Sequence, residues 1–121
     1  MPITLKPIAA DLFDKVAQDQ ARIIASNEKS NKPTQLRKFY DELVMWEQKA
    51  SLHPDKFNDY LPFIRMINAK VAYAKGRNLV DDKFVTMMSD CLKQVESIET
   101  LRTCKLFMEA FMGFYKQERP N

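Results

Sequence analysis

Apolar residues recur along this chain at three- and four-residue steps, and no run of alternating apolar and polar residues is bounded by turn signals, so the pattern predicts helices and no sheet. Glycine occurs only twice, at Gly76 and Gly113. Ile8, Leu12, Val16 and Ile23, with Phe13, Ala17 and Ile24, predict a first helix that ends near Asn27, after a short lead from Met1 to Pro7. Residues 26–33 are the most polar stretch and predict an exposed loop, with Pro33 at the entry to the next helix. That second helix carries Leu36, Phe39, Leu43, Trp46 and Ala50 on its apolar face and stops before Pro54. A turn at Ser51–Asp55 follows, Asp55 or Asp59 caps the next helix, and Pro62 falls in its first turn, where a missing N–H is harmless.

The strongest period lies from Leu61 to Arg77. Ile64, Ile67, Val71 and Ala74 form one stripe; Phe63, Met66, Lys70, Tyr73 and Arg77 form a second row turned away from it. Gly76 suits the left-handed position that closes such a helix. Asp81 and Asp82 favour the start of a fourth helix, where the dipole welcomes negative charge, and its stripe is Phe84, Met88, Cys91, Val95 and Ile98. A fifth helix begins at Glu99 or Thr100 and runs through Cys104, Phe107, Met108, Phe111, Phe114 and Tyr115, after which residues 117–121 trail off. Short connections make the expected fold all-α, a compact antiparallel five-helix bundle over residues 1–121 as one domain. A domain of 121 residues buries enough surface to need no metal or disulfide.

Charge changes the picture by its distribution, since the net of +3 is unremarkable. Lys29, Lys32, Arg37 and Lys38 lie in an acid-free window between Glu28 and Asp41, and Arg65, Lys70, Lys75 and Arg77 lie in another from Tyr60 to Val80. The other eleven of the nineteen cations face all sixteen acids, so the two windows predict a local positive field. Cations beside an aromatic ring suit single-stranded nucleic acid, because phosphates want positive charge and an unpaired base stacks on a ring.

Catalytic chemistry is hard to assemble from these residues. His53 is the sole histidine and sits beside a proline, which excludes a multi-histidine metal site and argues against a Ser-His-Asp arrangement. The adjacent acids Asp41–Glu42 and Asp81–Asp82 point apart on a helix, and no glycine-rich phosphate loop exists. No enzyme activity, metal or cofactor is expected. Cys91 and Cys104 read as reduced core thiols, and the methionines as core fillers, with Met66 and Met112 the ones placed to meet another protein. No apolar run is long enough to cross a membrane, no signal peptide is expected, and the expected compartment is the cytosol.

Thr34-Gln35-Leu36-Arg37-Lys38-Phe39-Tyr40 resembles the S/T-Q-I/L-R-K-F-Y signature, and Lys70-Val71-Ala72-Tyr73-Ala74-Lys75-Gly76-Arg77 resembles the K-x-A-Y-A-x-G-R signature, of the small subunit of type III-A CRISPR effector (Csm) complexes. Order and separation match over residues 30–116, with Lys75 where the family often has Ala. The resemblance implies a non-catalytic helical subunit present in several copies, stacked along the backbone subunits, near the large subunit, and lining the channel taken by guide and target RNA. It makes Arg37, Lys38, Lys70, Lys75 and Arg77 candidates for RNA phosphates, and Gln35 and Tyr73 candidates for hydrogen bonding or stacking. The expected partners are single-stranded RNA, the other Csm subunits and further copies of the chain, with no membrane. A protein-only helical adaptor, binding through Met66, Tyr73 and Met112, is the alternative; a helix-turn-helix DNA reader fits poorly, because the central helix opens with Leu61-Pro62-Phe63 rather than base-reading residues.

Overall fold

The computed structural model describes residues 3–120, and the regular elements among them are all helical. A π-helical turn at Leu12–Val16 runs into α1 (Ala17–Ala25), followed by α2 (Pro33–Leu52) and a 3-10 turn at Pro54–Lys56. Then come α3 (Phe57–Arg65), α4 (Ile67–Gly76), α5 (Asp82–Leu92) and α6 (Ile98–Glu118). α3 and α4 are halves of one rod broken at Met66, so the expected all-α bundle of five helical rods is what forms. Met1, Pro2 and Asn121, the ends of the expected lead and tail, lie outside the described residues.

Local chemistry explains most of the boundaries. Pro33 opens α2, where its missing N–H costs nothing. The Asp81 carboxylate accepts the Phe84 N–H at 3.1 Å and caps α5. Ser97 and Thr100 exchange side-chain and backbone hydrogen bonds in a capping box that starts α6 at Ile98, slightly before the expected Glu99. Several expectations are corrected. The first helix begins at Leu12, leaving Ile8 53% exposed in the lead. Pro62 lies inside α3 rather than in its first turn, and the rod breaks one turn beyond it. Gly76 keeps helical geometry; Asn78, at φ 61°, makes the left-handed turn instead. α5 ends at Leu92, so Val95 is buried from the linker and Ile98 belongs to α6.

α6 is the core element, packed on α1 along one side and α2 along another. Cys104, Phe107, Met108, Phe111 and Tyr115 are fully buried along it. A run of aromatic contacts ties three helices together: Phe39 of α2 to Phe84 of α5 at 5.7 Å, Phe84 to Phe111 at 6.4 Å, and Phe111 to Tyr115 at 5.2 Å between centroids. Each such ring contributes roughly 2 kcal/mol or more by leaving water. Cys91 and Cys104 are free thiols in this core, and a hydrogen bond to Cys104 together with burial pushes the Cys91 thiol far above its usual range. The lead is no loose end. Ile3 and Leu5 are buried, and the Gln94 amide holds both, accepting the Leu5 N–H at 2.9 Å and donating to the Ile3 carbonyl at 2.6 Å.

The polar stretch between α1 and α2 departs furthest from its expected exposed state. Asn31 is completely buried at φ 59°. Its side chain donates to the Ile24 carbonyl at 3.1 Å and accepts the Asp81 N–H at 2.9 Å, while its own N–H reaches the Leu79 carbonyl at 3.0 Å. Its carbonyl accepts the Tyr115 hydroxyl and the Arg119 guanidinium, so the expected tail is also anchored. Arg119 reaches the Ser30 carbonyl too, at 2.7 Å. Every group Asn31 buries is thereby satisfied, which is why a polar side chain survives there.

Burial pushes the Asp81 carboxyl up, but hydrogen bonds from Asn27, Asn31 and the Phe84 and Lys83 amides outweigh it and hold the group below the ordinary carboxylate range. A depressed folded-state value stabilises the fold above the unfolded value, and that contribution is lost as pH falls through the folded one. Asp81→Asn is therefore expected to flatten the loss of stability below about pH 4, read from urea midpoints against pH. Asn31→Ala, which removes one of the Ile24 carbonyl's partners, orphans the Asp81 N–H and strains the left-handed backbone, should cost about 2–4 kcal/mol in urea unfolding. Asn31→Gly should lose less, because glycine accepts that φ freely.

Candidate nucleic-acid interface

The α3–α4 rod sorts its two rows as its spacing dictates. Ile64, Ile67, Val71 and Ala74 are buried, whereas Phe63, Met66 and Tyr73 are 53%, 47% and 68% exposed. The Arg77 guanidinium lies over the Tyr73 ring, 5.9 Å from its centroid, so a cation and an aromatic face are held together in solvent. On α2 the row Gln35, Lys38, Glu42 and Trp46 turns toward the same rod, and Trp46 packs against Tyr60 at 5.6 Å and Phe63 at 6.0 Å.

Two ties link the segments that carry α2 and α4, although α4 packs chiefly on α5 and α2 chiefly on α6. Asn31, just before α2, bonds Leu79, just after α4. Further along, Lys70 of α4 meets both carboxylate oxygens of Glu42 of α2 at 3.0 Å. The interval between the ties is about 15 Å of helix, at a rise of about 1.5 Å per residue. Gln35 and Lys38 lie in it on α2, with Tyr73 on α4 and Arg77 just past its end. Four of the candidate residues therefore flank one seam, with Lys70 at its lower end.

The windows do not stay acid-free in space. Glu42 pairs with Lys70, and Asp82, at the start of α5, pairs with Lys75 at 3.2 Å. Arg65 is taken up by structure, donating to the Val95 carbonyl at 2.9 Å. Among the described residues Lys29, Lys32, Arg37, Lys38 and Arg77 form no ion pair. The start of α2 adds to this field. Its first turn holds no acid and no side chain caps it, in contrast to α5 and α6, so its amide dipoles and neighbouring cations both favour an anion.

Arg37 stands apart from the seam. On α2 it is about 140° around the axis from Glu42. It faces α6 instead, in a groove of about 510 Å³ shared with Tyr40, Glu109, Met112, Gly113 and Lys116. Arg37 and Lys70 are thus on different shoulders of α2, and a strand touching both must pass around the helix start. Lys75, turned to Asp82, lies beside the 27–31 loop.

Compared with known protein families, the model of the Csm2 Type III-A family matches residues 9–121. The chain belongs to that family. It is thus a small subunit of a type III-A CRISPR (Csm) complex, and it assembles with the other subunits of that complex. The first helix, which the sequence motifs leave outside, falls within the match. Comparisons with curated proteins and with solved structures returned no match. Among the described residues no helix is long and apolar enough to cross a membrane.

For this Csm2-family chain the sequence motifs locate the seam but miss the residues that modulate it. Glu42 and Asp82 are remote in sequence from the lysines they hold, so no local spacing signals them. Gly113 and Lys116 carried a faint signal, a glycine and a cation one turn apart in the aromatic-rich end of α6. The paired lysines remain about half exposed, so their ion pairs should contribute little. Lys70→Ala and Lys75→Ala are each expected to shift the urea midpoint by no more than about 1 kcal/mol equivalent.

Proposed function

We propose that this small subunit lines the RNA path of its complex, holding the backbone of single-stranded RNA, target or guide, without reading its sequence and without catalysing its cleavage. The observation that carries the reading is the junction of an uncapped, acid-free α2 start with the unpaired Lys38 and Arg77 and the exposed Tyr73. Phosphates are favoured by the cations and the helix dipole, and an unpaired base is favoured by a ring in solvent. Base pairing between guide and target supplies sequence specificity, so the subunit needs none. Lys70 and Lys75 join in by exchanging a carboxylate for a phosphate, which costs little because their present pairs are solvent-screened. One subunit neutralising two or three phosphates binds weakly, and several copies along one strand multiply the contacts.

A second reading has its own observation. Phe63 and Met66 are 53% and 47% exposed beside the break in the α3–α4 rod, an apolar edge of the kind that meets protein. The two readings occupy different stretches of that rod and are compatible: protein contact near the break, RNA contact near Arg77.

Lys38→Ala combined with Arg77→Ala should weaken binding of a single-stranded RNA oligonucleotide and lower the slope of log affinity against log salt by about 0.7 for each phosphate no longer neutralised, with the helical signal and melting unchanged. Adding Arg37→Ala and Lys70→Ala should deepen the effect. Fluorescence anisotropy across a salt series reads both. Full affinity of the multiple variant at low salt would rule the surface out, and wild-type binding that ignores salt would favour the protein-only adaptor.

A further inference from the structure

The groove between α2 and α6 has a feature that packing does not explain. Gly113 sits inside a 21-residue helix, where glycine is about 1 kcal/mol worse than alanine, yet a Cβ built on it meets no atom within 4 Å. Nothing in the isolated chain needs that room. The bare backbone instead forms one wall of the groove whose opposite side is Arg37.

Two helical rows line the groove. Pro33, Arg37 and Tyr40 recur at i, i+4 and i+7 on α2, and Glu109, Gly113 and Lys116 at the same steps on α6. The rows run antiparallel for about 10 Å. One end gathers Arg37, which forms no ion pair among the described residues, the uncapped start of α2, and Lys116, whose ammonium donates to the Pro120 carbonyl; the other holds Tyr40 and Glu109, whose carboxylate meets Lys105 at 3.2 Å. Met112 supplies an apolar edge between them. The groove is thus anion-seeking at one end, with an aromatic ring and a hydrogen-bond acceptor at the other. A wholly acidic peptide is refused by Glu109, and an apolar helix leaves Arg37 without an anion.

We propose that this groove holds one unstacked nucleotide of the single-stranded RNA, its phosphate on Arg37 and Lys116 and its base passing the open backbone at Gly113 to lie against Tyr40. The inference rests on the RNA reading above and deepens it, because it places a second contact on the shoulder of α2 away from the seam. It gives Arg37 a role that the seam does not. A strand leaving the seam reaches the groove around the start of α2, and single-strand binders commonly splay a base from its neighbours onto a ring.

The test uses the full chain at low salt with a single-stranded RNA oligonucleotide carrying one 4-thiouridine. Irradiation should cross-link that base to Tyr40, Met112 or an adjacent residue, as located by mass spectrometry. Gly113→Leu, which fills the groove without meeting a neighbour at Cβ, should abolish that cross-link and weaken binding about tenfold. Gly113→Ala should keep both and melt higher than wild type. Cross-links confined to Tyr73 and its neighbours, with Gly113→Leu binding like wild type, would overturn the groove and leave the seam standing. Loss of assembly with other subunits at unchanged RNA affinity in Gly113→Leu would assign the groove to protein and overturn it equally. Absence of RNA binding by the wild-type chain at low salt would remove both. The wild-type cross-link position decides the matter even if Gly113→Leu does not fold.

Discussion

Asn31 ties four parts of the chain together at one buried point. Its side chain joins the end of α1 to the start of α5, its amide takes the turn after α4, and its carbonyl receives the end of α6 through Tyr115 and Arg119. The backbone there is left-handed, a conformation asparagine tolerates better than most residues, and the bonds that fix it leave no orphaned polar group. Because α2 begins two residues later, this node also sets where the positive end of α2 points. The cations of the first window and the end of α4 are neighbours for that reason, and not because one attracts the other. Like charges brought together need a scaffold that over-determines them, and a buried hydrogen-bonded node supplies one.

The sequence made the rods legible and the joints much less so. Ile64, Ile67, Val71 and Ala74 declared the buried face of the rod at helical spacing, and Phe63, Met66 and Tyr73 declared the outer one. Periodicity reports which face of a helix is apolar, and burial followed it. Composition of a loop is only a correlate of its exposure. Residues 26–33 look solvated because they are polar, yet Asn31 and Ser30 are buried because their polar groups are used inside. Gln94 capturing the lead at Ile3 and Leu5 is the same lesson at another joint, since a partner about ninety positions away leaves no local trace.

The candidate site shows where charge counting along a chain stops being informative. A window without acids is a statement about neighbours in sequence, while a field depends on neighbours in space. Glu42 and Asp82 arrive from other helices and partly neutralise Lys70 and Lys75, while Lys29, Lys32, Arg37, Lys38 and Arg77 form no ion pair among the described residues. The motif residues therefore mark elements that flank the seam without revealing which of their cations are paired. Arg37 and Lys38, adjacent in sequence, serve opposite shoulders of α2, because one residue turns a helix by about 100°.

The pairing of Lys70 with Glu42 is better understood as geometry than as stability. Half-exposed ion pairs contribute little on their own, but this one reaches from α2 to α4 at the far end of the interval that the Asn31 node closes. Two ties, one buried and strong, one exposed and weak, link the two helices without locking the lysine's charge away. If a phosphate displaces the Glu42 carboxylate, the lysine keeps a partner of the same sign and the helices keep their buried tie, so the exchange disturbs no packing. Glu42 has a second engagement in the Trp46 indole N–H at 3.2 Å, which keeps the carboxylate in place when the lysine leaves. A surface built this way is ready to bind an anion at little reorganisation cost, which is what modest contacts repeated along an assembled strand require.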